Sequence, residues 1–397
     1  MKRFLSLLLL LFLVYSLSAQ QTRHVLVVVI DGVRYSETFG DPAHQWIPKI
    51  WTELRPQGVI YPSYSNDGLT ETNPGHASIV TGTWQTIAND GSARPHAPTM
   101  FEYFRKERAT TAAENVVVLG KSKLNILAFS DHAQYGSSYG ASVTSTPSQY
   151  NDQLAADSLK RVLRTNHPRL AIVNFPNPDN VAHSNNWGGY LTSVRNADSL
   201  TYEIWTAVQS DSVMKGRTTM VVTNDHGRHL TDFANHGDGC EGCRHLMLLI
   251  VGPDTPHGVV DSTARKQIDI VPTIGALLGF STPYATGSVI ASALMITGVA
   301  QSPENQPQEF RLLQNYPNPF NPSTVISYTI AFRSDVQLHV FDAVGQRVAE
   351  LVATVQDPGV YTVSWSPRMA SGVYFARLEA RSDGKRFVDA KRMMVIK

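Results

Sequence analysis

The sequence predicts an α/β protein: a doubly wound, mostly parallel sheet flanked by helices, followed by a small Ig-like β-sandwich. Three features predict it. Continuous apolar runs recur between residues 23 and 297, as in strands buried on both faces of a parallel sheet. Amphipathic segments with helical spacing separate those runs, and the alternation argues for βα units. Beyond residue 309 the pattern changes to short alternating runs punctuated by turn residues, which suggests a sandwich. The chain has 397 residues and a formal net charge of +1. That length allows two or three domains and a large core. The charge leaves no nucleic-acid or polybasic membrane footprint.

Taken in order, Met1-Lys2-Arg3 precedes the apolar run Phe4–Leu17, and small residues follow through Ala19. Residues 1–19 therefore read as a signal peptide. An uncleaved anchor is the other reading, and the run is short for one. Expected strands are Val25–Ile30, Val116–Leu119, Leu170–Phe175, Thr218–Thr223 and Leu246–Val251. Expected helices are Trp46–Leu54, Pro98–Arg105, Tyr150–Arg164 and Ser193–Met214, with Ile268–Gly279 closing a main domain over 20–297. Residues 298–309, rich in Gln, Pro, Ser and Glu, read as a linker. In the tail, 310–397, Thr324–Ile330, Val336–Phe341, Val360–Trp365, Val373–Leu378 and Arg392–Ile396 read as strands.

Asp31 directly follows the first apolar strand, and ligands of open α/β sheets bind outside the carboxyl ends of strands. Thr72-Asn73-Pro74-Gly75-His76 precedes an apolar run and Thr81-Gly82. Asp179 and His183 stand four apart, so one helical turn or a tight loop brings both to one ion. Asp225-His226-Gly227 follows another apolar strand. Each has a plainer reading. Asp31 and Thr72 can be helix caps, and Asp179 or Asp225 can start a turn.

Together and in this order, Ile30-Asp31-Gly32, Thr72–His76, Pro178–His183 and Asn224–Gly227 resemble the alkaline phosphatase superfamily over residues 23–290. The resemblance implies two Zn2+ ions that clamp the attacking and leaving oxygens of an in-line displacement. Asp31, Thr72, Asp225 and His226 would hold one ion. Asp179, His183 and a late histidine would hold the other, with His236 preferred over His245. Thr72 would be the nucleophile, and its attack would give a phosphothreonine. His76 reads as a packing residue or as one supporting the ligands, and His229 and His132 as loop residues. Sulfatases of the superfamily carry Cys or Ser in a Cys/Ser-x-Pro-x-Arg setting. Here threonine replaces the first position and His76 the arginine, which argues against sulfate esters. Asn89 lies near the position where relatives place an asparagine toward phosphate, at a shorter spacing. Lys121 and Lys123 resemble a Lys-x-Arg pair that offsets a dianionic monoester; a solvated turn is the alternative.

Leu313–Thr324, Val340–Gly345, Ala370–Phe375 and Lys391–Lys397 make the tail resemble the C-terminal sorting domain of the type IX secretion system. An ordinary accessory sandwich is the plainer reading. The resemblance implies passage through the type IX machinery to the cell surface or the medium. Cys240 and Cys243 are the only cysteines. In an exported protein they read as a small disulfide, with a zinc knuckle completed by His236 or His245 as the alternative. The expected activity is hydrolysis of a small phosphate ester, with monoesters favoured. A phosphodiesterase or nucleotide pyrophosphatase is the first alternative, and a non-catalytic surface binding protein the second.

Overall fold

The computed structural model describes residues 20–295, 310–315, 318–321, 324–356, 359–365, 369–382 and 385–396. The expected signal peptide and linker lie outside the described residues. The described residues fall into two compact units, divided between residues 297 and 298.

In the first unit the elements run β1 (His24–Ile30), β2 (Gly58–Ile60), β3 (Tyr64–Ser65), α1 (Thr72–Thr81), α2 (Met100–Arg108), β4 (Asn115–Leu119), β5 (Ser142–Ser145) and α3 (Asp152–Asn166). They continue with β6 (Leu170–Phe175), α4 (Asn177–His183), α5 (Trp187–Ser210), β7 (Thr218–Thr223), α6 (Glu241–Arg244) and β8 (His245–Leu246). β9 (Leu248–Val251), β10 (Val259–Val260), β11 (Arg265–Lys266) and α7 (Ile270–Leu278) complete the unit. Eight strands form one sheet in the order β10-β2-β9-β7-β1-β6-β4-β5. β7, β1, β6, β4 and β5 are mutually parallel, whereas β9 runs antiparallel to both β7 and β2.

Strand alternation divides the core in two. Val25, Val27 and Val29 of β1 face a cluster that includes Ile79, Phe101 and Ile274 from α1, α2 and α7. Leu26, Val28 and Ile30 face a second cluster with Leu159, Val194 and Ile204 from α3 and α5. Burial on both faces explains why β1, β4, β6 and β7 each carry a continuous apolar stretch rather than alternating polar residues. Capping sets helix ends. The Thr99 side chain and Glu102 form a capping box at α2, and the Asn186 side chain accepts from Gly189 N at the start of α5.

Two expected elements differ. Leu246–Val251 is broken at Met247, whose N–H bonds Asn224 Oδ1 at 2.8 Å and whose carbonyl accepts from Thr223 Oγ1 at 3.0 Å. β8 accordingly pairs β3 in a separate sheet while β9 stays beside β7. In Trp46–Leu54 the helix starts only at residue 48, and Ile50–Leu54 forms one wide turn.

In the second unit, β12 (Arg311–Leu312), β13 (Thr324–Ile330) and β16 (Gly359–Trp365) form one antiparallel sheet. β14 (Ser334–Asp342), β15 (Arg347–Gln356), β17 (Gly372–Ser382) and β18 (Lys385–Val395) form the other, in the order β15-β14-β17-β18. Inward residues of both, among them Ile326, Tyr328, Leu338, Val340 and Leu378, share one core, as in a small sandwich. The sequence missed β15 because none of its residues is fully buried, so it carries no clean period-two pattern. It also shortened β18, whose first half is largely polar and forms a sheet edge.

Candidate metal centre

The carboxyl ends of β1, β7, β6 and β4 bring the titratable groups together. Asp31, one residue past β1, is fully buried. The chain then turns at Gly32 with φ 66°, where a Cβ would stand 2.8 Å from Asp179 Oδ1, so glycine is required twice over. Gly32 N donates to Asp225 Oδ1 at 3.1 Å. Beyond β7, the Asn224 side chain donates to Val33 O and His226 O at 2.9 and 3.0 Å, locking the turn that presents Asp225 and His226. Both of those residues are fully buried.

Asp31 Oδ2 accepts from Asn174 Nδ2 at 3.0 Å and faces Lys121 Nζ at 2.9 Å. Asp31 Oδ1 has no hydrogen-bond donor among the described residues. His226 donates Nδ1–H to Gly227 O at 2.9 Å, which leaves the Nε2 lone pair free. That nitrogen lies 3.4 Å from Asp225 Oδ2 and 3.7 Å from Asp31 Oδ1. Asp31 Oδ1, Asp225 Oδ2 and His226 Nε2 are thus three buried acceptors that face one another without directed donors among the described residues. Such a set is repulsive unless a cation stands among them, and carboxylate plus imidazole suits a divalent metal.

α1 delivers Thr72, its first residue, to the same place. A Cβ on Gly75 would lie 2.6 Å from Asp225 O, so the first turn of α1 packs directly on the Asp225 backbone. His76 is fully buried there. Its Nδ1 directs a hydrogen bond to Thr72 O at 2.9 Å and stands 3.0 Å from Asp225 Oδ2, and its Nε2 meets Asn174 Nδ2 at 3.0 Å.

A second group adjoins the first. Asp179 projects from α4, and its Oδ1 lies 3.3 Å from His183 Nε2 and 3.5 Å from His236 Nε2. His183 and His236 face each other with 3.1 Å between their Nε2 atoms. His236 bonds Thr70 O through Nδ1 at 3.0 Å, which assigns Nε2 as the acceptor. Its ring stacks on His226 at 3.8 Å. Burial and neighbouring His226 push His236 down to about 3, so the imidazole stays neutral, the form that ligates metal.

Lys121 joins the two groups. Its Nζ stands 2.5 Å from Asp179 Oδ2 as well as 2.9 Å from Asp31, and the residue is 3 % exposed, not a solvated turn. Burial lowers its pKa, but Asp31 and Asp179 outweigh that and hold it above the ordinary lysine value. Burial and Asp225 raise Asp31. Asp225 is held low by His226 and His76 against the effect of burial. Asp179 is likewise held well below the usual range, chiefly by Lys121, against burial.

Asn89 and Lys123 form a pair at the start of α1. Asn89 Oδ1 accepts from Asn73 N at 2.9 Å and from Lys123 Nζ at 3.0 Å. The structure therefore brings Asp31, Thr72, Asp179, His183, Asp225, His226, His236, Lys121, Lys123 and Asn89 to one edge of the sheet. His245 is elsewhere, stacked on Tyr35 at 3.7 Å with Nε2 on Pro62 O. Cys240 and Cys243 are free thiols, not a disulfide. Tyr190 is a buried packing residue, and Trp187 lies edge-on to Phe233.

Two residues were missed. Arg228 is fully buried and donates to Gly32 O, Phe233 O, Ala234 O and both Asp179 O and Oδ1. Asn174 bridges Asp31 and His76. The available signals were an arginine directly after Asp225-His226-Gly227 and a lone amide inside the apolar strand β6.

Residues 112–236 match the family model described as the metalloenzyme superfamily, and residues 314–390 match the secretion system C-terminal sorting domain. A stretch of 129 residues is 24% identical to 2,3-bisphosphoglycerate-independent phosphoglycerate mutase of Gracilaria tenuistipitata var. liui, covering 32% of this chain and 24% of that protein. Another of 96 residues is 33% identical to arylsulfatase K of Xenopus laevis, covering 24% and 18%. The chain thus spans a quarter or less of the length of these relatives. A solved 2-O GAG sulfatase superposes with a TM-score of 0.57 at 14% identity, over 79% of this chain and 82% of that one. Murine ectonucleotide pyrophosphatase/phosphodiesterase 5 gives 0.52 at 14% identity, over 67% and 97%. At such identity the likeness is one of fold.

Proposed function

Because this chain carries a metalloenzyme-superfamily domain of alkaline-phosphatase-like fold and a type IX sorting domain that marks it for export to the surface or medium, we propose that it is an exported phosphate-ester hydrolase with a two-zinc site and Thr72 as nucleophile. The observation that carries this reading is the convergence of Asp31 Oδ1, Asp225 Oδ2 and His226 Nε2, none with a directed hydrogen bond among the described residues, beside the helix start that presents Thr72. Among the described residues no helix is long and apolar enough to cross a membrane.

Asp31, Thr72, Asp225 and His226 would hold one ion, and Asp179, His183 and His236 the other. When bound, the ions would supply Lewis-acid stabilisation of the ester and acidify a hydroxyl. The chain's own groups account for the rest. Thr72 attacks phosphorus, a new O–P bond forms, and the ester oxygen leaves with a proton. Water then cleaves the phosphothreonine and restores the hydroxyl. The bonds from Asn73 N and Lys123 to Asn89 Oδ1 leave the Asn89 NH2 group as the face it offers a phosphate oxygen. Lys121 holds Asp31 and Asp179 in place, so Lys123 is the better candidate to offset the extra charge of a monoester. Threonine also separates this site from sulfatases, whose Cys or Ser is converted to formylglycine.

The test is hydrolysis of nitrophenyl phosphate mono- and diesters beside a nitrophenyl sulfate, by the wild type and Thr72→Ala. Phosphate-ester turnover that disappears in the variant with metal content retained supports the reading, and the faster ester sets the subclass. Sulfate turnover that survives in Thr72→Ala would sink it.

A further inference from the structure

A second cluster lies in the loop between β7 and β8 and shares no residue with the candidate centre. His229, Asp238, Cys240 and Cys243 each offer one ligand atom, all within 4.8 Å of one another. The two Sγ atoms are 3.2 Å apart, Cys243 Sγ is 3.5 Å from Asp238 Oδ1, and His229 Nε2 is 3.2 Å from the same oxygen. His229 Nε2 is buried without a directed hydrogen bond among the described residues, so its approach to Asp238 leaves a polar atom aimed into the cluster. Asp238 Oδ1 accepts from Cys240 N at 3.0 Å, which fixes the carboxylate toward the sulfurs. Cys243 is fully buried.

We propose that His229, Asp238, Cys240 and Cys243 bind a structural zinc ion that staples this loop. Two thiolates, an imidazole and a carboxylate make a four-ligand set of the kind tetrahedral zinc takes, and paired sulfurs exclude the hard oxygen-seeking cations. The backbone is already closed at this point, since Gly227 N donates to Cys243 O at 2.8 Å and His229 N to Asn235 O at 3.1 Å. The tip of the closed loop carries His236, and Gly239 N bonds Thr70 Oγ1 beside it at 3.2 Å. A metal at the loop base would therefore set the position of His236 without touching it. Binding removes two thiol protons and releases them to solvent. The site stands whether or not the neighbouring centre hydrolyses phosphate.

The full chain is purified without chelator, and its zinc is compared with that of Cys240→Ser/Cys243→Ser. One zinc equivalent fewer in the double variant is expected. Cobalt exchanged into the wild type should give a thiolate-to-cobalt charge-transfer band in the near ultraviolet. No other centre can produce that band, because the chain has only these two cysteines. The cobalt spectrum needs no variant, so a misfolded double mutant does not obscure the result. His229→Ala keeps both sulfurs and should retain the band with metal affinity lowered about tenfold or more. Absence of titratable thiols in the denatured, unreduced chain, with a mass lower by two hydrogens, would overturn the proposal in favour of a disulfide. Free thiols with neither the band nor a zinc difference would overturn it as well.

Discussion

The two halves of the candidate centre are built differently. The inner half, Asp31, Asp225 and His226, follows directly on adjacent parallel strands, and all three residues are fully buried. The outer half comes from a short helix and a loop, and the His183 side chain is 47 % exposed. Strand register places the inner groups. Outer groups depend on side-chain ties, above all Arg228 to Asp179 and to the Phe233 and Ala234 carbonyls. Inner geometry should therefore survive perturbations that dismantle the outer half.

Thr72→Ala sharpens the contrast most. Turnover should fall by about 10^4-fold or more, with folding unchanged and the inner metal retained by Asp31, Asp225 and His226 despite the loss of the Thr72 oxygen, as read by ester hydrolysis and metal analysis. Arg228→Met should act first on the outer half, because only its Nε bond to Gly32 O reaches the inner one. It strips a buried charge from Asp179, which should cost about 3 kcal/mol or more in urea unfolding, and the chain should lose outer metal first. Loss of both metals together would break the comparison. Gly75→Ala attacks the inner half through packing, because its Cβ would meet Asp225 O at 2.6 Å. A destabilisation of about 1–3 kcal/mol is expected, with the inner metal weakened before the outer one.

The effect that is smallest over any one pH unit is a pH dependence beneath the outer half. Asp152 accepts from Asn177 N at 2.9 Å at the start of α4. Burial pushes it up to about 7, with Asp31 adding to the rise. Between the unfolded and folded pKa values the native chain keeps a proton that the unfolded chain has lost. This contribution to stability is complete below the unfolded value and is lost as pH rises through about 7. Its slope is at most about 1.4 kcal/mol per pH unit. Asp152→Asn should flatten that slope in unfolding curves taken across this range, and an unchanged slope would assign it to other groups.

Much of the fold was legible because strand burial is a local property. β1, β6 and β7 declare themselves through the apolar stretches within their six or seven residues, and Asp31 and Asp225 stand just past the ends of β1 and β7. Motif order likewise marked Thr72, Asp179, His183 and His226 as a set. What the chain could not show locally were ties between distant segments. Gly32 N reaches Asp225 Oδ1 across 193 positions, and Arg228 reaches Gly32 O across 196. The placement of His236 beside Asp179, with His245 elsewhere, involves such a tie, Thr70 O to His236 Nδ1 across 166 positions. So does the burial of Lys121 between two carboxylates, which its turn-like sequence conceals. The grouping of His229 and Asp238 with the cysteine pair depends on how the loop closes on itself. Periodicity and spacing record which face of an element meets the core. Partners of buried charge are selected only when the sheet has brought the strand ends together, because an unpaired charge there is too costly to leave.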